Sequence, residues 1–431
     1  MGTRFLFSVL LISLNFFAGA QDDRAVLKSP RAQQHQSFQK RLGSIDDLLA
    51  EYVKKEWIAG ATALVIKEGK IVYHKSIGVK DLQTKAPLQN DAIYRIASQT
   101  KAITSVGIMM LMEEGKLQLD DAVSKYIPEF KNPKVLQNFN APDTTYTSVQ
   151  AKREITIRDL LTHTSGIGYA QIGNGQMNAI YAKAGIVGGI GVDNLILGDK
   201  MKLLGSLPLF HQPGERFTYG LNTDLLGYLI EVISNLSLDQ FFRQRIFEPL
   251  GMKDSYFYIP SSKHSRLVAL HTEDKAQDKK LVKATGVQSL NGNFYPDYPN
   301  SKGTYFSGGG GLSSTAYDYG LFMQMLLNGG SYKGNRLVSP ASVRMMTTNQ
   351  IGSLSVGAGN KFGFGFEIVQ EGNKDKTPLT AGSYLWGGMF SSSYWIDPKE
   401  KMVAQLFLNQ YPMSHGAIHD KFKSLVYAAL K

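Results

Sequence analysis

Two periodicities run along this chain, one near 3.6 residues and one near two, and their order predicts its elements. Apolar positions at helical spacing from Ser44 to about Lys55 predict an amphipathic helix. Two runs that follow, Gly60-Ala61-Thr62-Ala63-Leu64-Val65-Ile66 and Lys70-Ile71-Val72-Tyr73-His74, predict strands joined by a turn at Glu68-Gly69. Ala92 to Ala97 is strand-like, and Ala102 to Met112 reads as a buried helix closing at Glu113-Glu114-Gly115-Lys116. From about 117 to 290 the pattern is mostly helical with long connections, including a glycine-rich loop from Gly166 to Gly191 and a helix from about Thr223 to Asn235.

Strand signals return in the last third. Ser307 to Gly311 leads into a helix over Tyr317 to Leu327, Phe362 to Val369 alternates as one strand, and Ser392–Ile396 and Met402–Leu408 flank the turn Asp397-Pro398-Lys399-Glu400. A final helix spans roughly Ile418 to Leu430. Strands at both ends with helices between predict an α/β (α+β) fold. Its antiparallel sheet draws on segments 43–97 and 300–431, with the helical region inserted between them.

The N-terminus follows a different rule. One charge, Arg4, precedes an apolar run from Phe5 to Phe17 and the small residues Ala18-Gly19-Ala20, the layout of a signal peptide over 1–20 cleaved before Gln21. An uncleaved N-terminal anchor is the alternative, although the run is short for a membrane span. Residues 21–42 are polar and read as a linker to a single domain over 43–431. Export permits disulfides, yet the chain has no cysteine. Its stability must come from a core, which about 390 residues can supply. The lack of cysteine also excludes a cysteine nucleophile, a zinc–thiolate site and a lipidated cysteine. A net charge of +11 raises the question of an anionic partner, but the lysines are scattered or, at Lys275, Lys279, Lys280 and Lys283, mixed with acids. That pattern is a solvated surface rather than a nucleic-acid footprint.

Candidate chemistry begins at Ser98-Gln99-Thr100-Lys101, at the predicted helix entrance. Positions i and i+3 lie about 60° apart on a helix, so hydroxyl and amine share a face. A serine is nucleophilic only when a neighbour takes its proton, and Lys101 is placed to do so. The same spacing serves an N-cap serine with a solvated lysine, and recurs at Ser37-Phe38-Gln39-Lys40 in a polar setting. No G-x-S-x-G occurs, which removes an α/β-hydrolase. His415 and His419 are spaced i,i+4 but lack the glutamate of H-E-x-x-H, and read as surface or terminal-helix residues. Neither a metal nor a cofactor is expected.

Several segments in order resemble one family. Tyr94-Arg95-Ile96-Ala97-Ser98-Gln99-Thr100-Lys101, Glu114-Gly115-Lys116-Leu117, Arg158-Asp159-Leu160-Leu161-Thr162-His163-Thr164-Ser165-Gly166, Gln212-Pro213-Gly214-Glu215-Arg216-Phe217-Thr218-Tyr219 and Gly309-Gly310-Gly311-Leu312-Ser313-Ser314-Thr315 are similar to motifs of the serine beta-lactamase and penicillin-recognising superfamily. The likeness is to its class C branch, with the related family VIII esterases and D-amino-acid peptidases. It implies a beta-lactamase/transpeptidase-like fold and Ser98 as the acylated nucleophile. Tyr219 would be hydrogen-bonded between Ser98 and Lys101, with either Lys101 or Tyr219 carrying the proton. His163, inside a signature, reads as a loop residue rather than a base.

Two motifs depart from the family pattern. Tyr219-Gly220-Leu221-Asn222 carries its asparagine one position late, so Asn222 either replaces the family's substrate-binding asparagine or only caps the next helix. Trp386-Gly387-Gly388 stands where the family has a cation-bearing Lys-Thr-Gly or a His-x-Gly. The tryptophan either walls the substrate site or is only core. By resemblance, the N–H of Met389 joins that of Ser98 as an oxyanion hole. The change removes the partner of a substrate carboxylate and implies a carboxylesterase-like enzyme acting on a small-molecule ester. A beta-lactamase or D-amino-acid peptidase is the alternative, and a non-catalytic peptidoglycan- or partner-binding module stands further off. The signal and the family together imply a bacterial periplasmic or extracellular protein, without stable membrane insertion after cleavage.

Overall fold

The computed structural model describes residues 36–430 apart from 193, 286–287, 290–292 and 374–375. The expected signal peptide and residues 21–35 of the expected linker lie outside the described residues. Helix α1 (Gln36–Lys54) starts eight residues before Ser44, so the end of the expected linker is helical. Leu42, Ile45 and Leu49 are buried there, and their burial extends the amphipathic pattern backwards.

Strands β1 (Gly60–Lys67) and β2 (Lys70–Gly78) form the expected hairpin. Glu68 and Gly69 both have positive φ, 52° and 71°, the geometry that matches strand twist in a two-residue turn. Helix α2 (Thr100–Glu113) follows the Ser98 turn, and α3 (Asn222–Ser234) and α4 (Ala316–Leu327) fall where periodicity placed them. The remaining sheet strands are β3 (Lys361–Phe362), β4 (Glu367–Ile368), β5 (Tyr384–Gly388), β6 (Ser392–Asp397) and β7 (Met402–Phe407), and helix α5 (Ala417–Ala429) ends the fold.

The sheet order is β3-β4-β5-β6-β7-β1-β2, antiparallel throughout. The pairing of β1 with β7, Thr62 opposite Phe407 and Leu64 opposite Gln405, joins the two ends of the chain in one sheet as expected. Each face carries helices, which is why β1 is buried along nearly its whole length. Its alternate residues enter two cores: Leu64 and Ile66 face the larger one with α2 and α4, whereas Ala61, Ala63 and Val65 face a smaller one with α1 and α5.

Two sequence expectations give way here. Residues 362–369 are not one strand but the hairpin β3–β4, with Phe362 opposite Glu367. The backbone turns at Gly365, where φ is +92° and a Cβ would lie 2.6 Å from Ser105 Oγ, a close approach that the alternation of phenylalanines concealed. The middle region is likewise not mostly helical. It contains a twisted hairpin, Lys134–Asn140 with Thr145–Gln150, whose turn is closed by Asp143 accepting from the Thr145 N–H at 2.9 Å, and a second pair, His271–Asp274 with Lys280–Lys283. Its helices other than α3 are short. No helix among the described residues is long and apolar enough to cross a membrane.

Candidate active site

The position of Ser98 is set by a short strand and a strained corner. Tyr94–Arg95 pairs with Ser313–Ser314, and Ala97 then takes φ +44° to start a single 3-10 turn, Ala97–Gln99, that runs directly into α2. A left-handed alanine is unfavourable in isolation and persists only where its surroundings hold it. Thr100 Oγ1 does so by donating to the Ala97 carbonyl at 2.7 Å. Residue 99, not 98, occupies the helix N-cap position and makes no side-chain cap, so Ser98 is not a capping serine. It is half-exposed between buried neighbours, as an attacking group must be.

Lys101 lies one turn on, 1% exposed. Its Nζ is 3.4 Å from Ser98 Oγ, 2.9 Å from the Tyr169 hydroxyl and 2.6 Å from the Gly309 carbonyl oxygen. The spacing argument from the sequence therefore holds in space. Tyr169 is the residue that the sequence reading missed. It ends the run Gly166-Ile167-Gly168-Tyr169 immediately after the His163–Gly166 signature, and a bulky aromatic fixed beyond two glycines was the available signal.

Tyr219 reaches the site mainly through its ring, whose centroid is 4.6 Å from Lys101 Nζ. The hydroxyl that meets Lys101 is that of Tyr169, whose ring lies 5.5 Å from that of Tyr219 between centroids. Burial, reinforced by Tyr219 and Asp224, pushes the Tyr169 phenol well above its ordinary range and keeps it protonated. Two loops set these tyrosines side by side: Thr218 N–H donates to the His163 carbonyl at 2.7 Å, and Leu221 N–H to the Gly168 carbonyl at 3.0 Å. A Cβ on Gly220 would lie 2.1 Å from the Ile167 carbonyl oxygen, which explains the glycine after Tyr219.

Asn222 belongs to this scaffold and not to a substrate site. It is the first residue of α3 and fully buried; its Oδ1 accepts from Ser165 Oγ, and its Nδ2 donates to His163 Nδ1 at 3.0 Å and towards the Ile167 carbonyl at 3.4 Å. With its amide spent on the 163–167 loop, it binds no substrate. His163 is a loop residue as expected. Burial, then the Lys101 charge, holds its imidazole well below the usual range, so it is neutral and accepts at Nδ1. His419 lies in the terminal helix α5 as expected, half-buried with Nδ1 2.8 Å from Ser393 Oγ, and His415 stacks on Trp57 at 4.2 Å between ring centroids.

Strand β5 brings Trp386, Gly387 and Gly388 past the Ser98 turn. A Cβ on Gly388 would lie 2.4 Å from the Ile96 carbonyl oxygen and 2.5 Å from Ser392 Oγ, so only glycine permits this approach. Gly387 is less confined, with Ser392 O at 2.9 Å. Trp386 is half-buried and stands 5.5 Å from Tyr219 and 5.4 Å from Phe362 between ring centroids, its Nε1 donating to the Tyr219 hydroxyl at 3.4 Å. Met389 is half-buried and packs with Ile190 and Tyr411 around Ala97 and Phe390.

This arrangement, a Ser-x-x-Lys turn between an antiparallel sheet and a helical region, coincides with the finding that a family model described as Beta-lactamase matches residues 45–428. The chain belongs to the beta-lactamase family. Within that serine hydrolase superfamily, it is similar to an uncharacterized protein of Mycobacterium tuberculosis, 32% identical over 368 residues that cover 82% of this chain and 86% of that one. It is also similar to Esterase EstB of Burkholderia gladioli, 26% identical over 390 residues, 89% of this chain and 94% of that one. Among solved structures, EstCE1, described as a hydrolase with promiscuous acyltransferase activity, superposes with a TM-score of 0.77 at 25% identity, covering 91% of this chain and 99% of its own. The beta-lactamase-family fold thus extends over nearly all of the described residues.

Proposed function

We propose that this protein is a carboxylesterase-like serine hydrolase that cleaves neutral esters through an acyl-enzyme on Ser98. The observation that carries the reading is the half-exposed Ser98 hydroxyl held against a buried lysine, beneath a wall in which Trp386 stands where a substrate carboxylate would need a cation. The similarity to Esterase EstB supports the same choice.

The residues suit the following sequence. Gly309 O, an obligate acceptor, and Tyr169 Oη accept hydrogen bonds from the two N–H groups of Lys101 acting as the base, which leaves its lone pair facing Ser98 Oγ. As Oγ bonds to the ester carbonyl carbon, its proton passes to Lys101 and the carbonyl oxygen becomes an oxyanion. The N–H groups of Ser98 and Met389 receive that oxyanion, on two segments that Gly388 packs together. The carbon–oxygen bond to the alcohol then breaks. Lys101, its ammonium facing the Tyr219 ring 4.6 Å away, gives the proton it took to the departing oxygen. Water repeats the steps in reverse order of groups to release the acid.

A rate panel tests the reading: a short-chain p-nitrophenyl ester, a chromogenic cephalosporin and a D-Ala-D-Ala peptide, with Ser98→Ala as blank. Ester turnover well above the other two is expected, and cephalosporin or peptide turnover far exceeding it would overturn the assignment. The layout of Arg4, Phe5–Phe17 and Ala18-Gly19-Ala20 supports export to a bacterial periplasm or the medium. A mature N-terminus at Gln21 in secreted material is the corresponding observation.

A further inference from the structure

Close to Lys101 lies an acid that the mechanism above leaves unused. Asp224, the third residue of α3, is 1% exposed. Its Oδ1 accepts from Ser307 Oγ and from the Gly309 N–H at 3.3 Å, and its Oδ2 has no hydrogen-bond partner. Gly309, whose N–H meets Asp224, is the residue whose carbonyl meets Lys101 at 2.6 Å. Carboxylate and amine are therefore connected through the backbone of one residue. That residue has to be glycine, since a Cβ would lie 2.2 Å from Asp224 Oδ2.

A carboxylate buried with half its hydrogen-bonding capacity unfilled is unfavourable unless a charge nearby offsets it. Lys101 becomes such a charge once it holds the Ser98 proton, and it lies close enough to oppose the rise that burial imposes on the Asp224 carboxyl. The other titratable groups around the pair are Tyr169, Tyr305, Tyr219 and His163, of which the first two are tyrosines kept protonated by burial and His163 is neutral. When Lys101 takes the Ser98 proton, an ammonium forms in a site closed to solvent. We infer that Asp224 is the positioning residue for Lys101: through the Gly309 N–H it fixes the carbonyl that aims the amine at Ser98, and its negative charge stabilises the ammonium formed during acylation. The inference rests on the serine-hydrolase reading of Ser98 and adds to it a group that touches neither substrate nor nucleophile.

Asp224→Asn keeps the shape and both accepted hydrogen bonds while it removes the charge, so it separates electrostatics from packing. For this variant, kcat on the p-nitrophenyl ester is expected to fall about tenfold or more with KM within about twofold. Without the carboxylate, Lys101 gives up its proton more readily. The acid limb of kcat/KM, and of fluorophosphonate labelling of Ser98, therefore moves to lower pH by about one pH unit. Ser307→Ala, which keeps the charge, should leave that limb in place and kcat within about threefold. Should the amide variant not fold, Asp224→Ser carries the same expected displacement of the limb. A labelled native enzyme whose acid limb is unmoved in the charge-removing variant, or a Ser307→Ala loss as large as that of Asp224→Asn, would overturn the role of Asp224 alone. Native protein that takes no label at Ser98 at any pH would overturn the hydrolase reading, and this inference with it.

Discussion

Gly388→Ala tests whether the approach of β5 to the Ser98 turn is required for catalysis. The added methyl would sit 2.4 Å from the Ile96 carbonyl oxygen and 2.5 Å from Ser392 Oγ, about 1 Å inside the 3.4 Å at which ordinary contact begins. Ser392 has a side chain that can rotate, but Ile96 O is backbone, two residues before Ser98. Relief therefore has to come from separating strand and turn by several tenths of an ångström or more. Overpacking of this kind costs about 1–3 kcal/mol of stability. The larger effect falls on the reaction, because the Ser98 and Met389 N–H groups sit on the two separated segments, and a displacement near 1 Å costs about 100-fold in rate. The assay is kcat/KM on a p-nitrophenyl ester, alongside thermal unfolding to confirm the fold. A loss of about 30- to 300-fold is expected, with a milder one for Gly387→Ala, whose nearest atom is 2.9 Å away. Activity of a folded Gly388→Ala within threefold of native would refute the reasoning.

Four further outcomes follow from particular contacts. Tyr169→Phe removes the hydroxyl that meets Lys101 at 2.9 Å, and kcat should fall about 10- to 100-fold with the fold intact; unchanged kcat in stopped-flow assays would remove Tyr169 from the site. Trp386→Phe keeps a ring but loses the N–H donated to Tyr219, so kcat should drop a few-fold while KM stays near native. Asn222→Ala leaves Ser165 and His163 without their buried partner and should lower unfolding free energy by about 1–3 kcal/mol, with little change in KM, as read from urea titrations. Burial holds His271 and His419 at about 4 in the folded chain, against an ordinary value of 6.5. The unfolded chain therefore takes up these protons first as pH falls. Stability is complete above about 6.5, declines towards pH 4 by up to about 3 kcal/mol per histidine and loses no more below that; His419→Gln should flatten the pH dependence of the urea midpoint.

Much of this molecule was legible from local pattern because its helices and strands obey it. The apolar spacing of α2, α3, α4 and α5 and the hairpin at Glu68-Gly69 reflect burial of one element against another, and burial leaves a periodic trace. The corner at Gly365 left none, since phenylalanines alternate equally well along a strand and around a tight hairpin. The site divides in the same way. Ser98 and Lys101 are neighbours on one turn, and three-residue spacing reveals that. Tyr169 meets Lys101 only because the His163–Gly168 loop is bonded to 218–222, and Asp224 only through Gly309; no local spacing encodes either contact. Asn222 stood between two readings, a substrate-binding asparagine by resemblance and a helix cap; Leu221 takes the cap position, and the start of α3 turns the Asn222 amide towards His163.

The most direct test of the central claim is intact and peptide mass spectrometry of the protein quenched in acid during turnover of a p-nitrophenyl ester. The expected result is the acyl mass added on the peptide that contains Ser98, appearing with a burst of p-nitrophenol and absent from Ser98→Ala. Ester hydrolysis by Ser98→Ala at the native rate, with no acyl mass on Ser98 in the native protein, would contradict it.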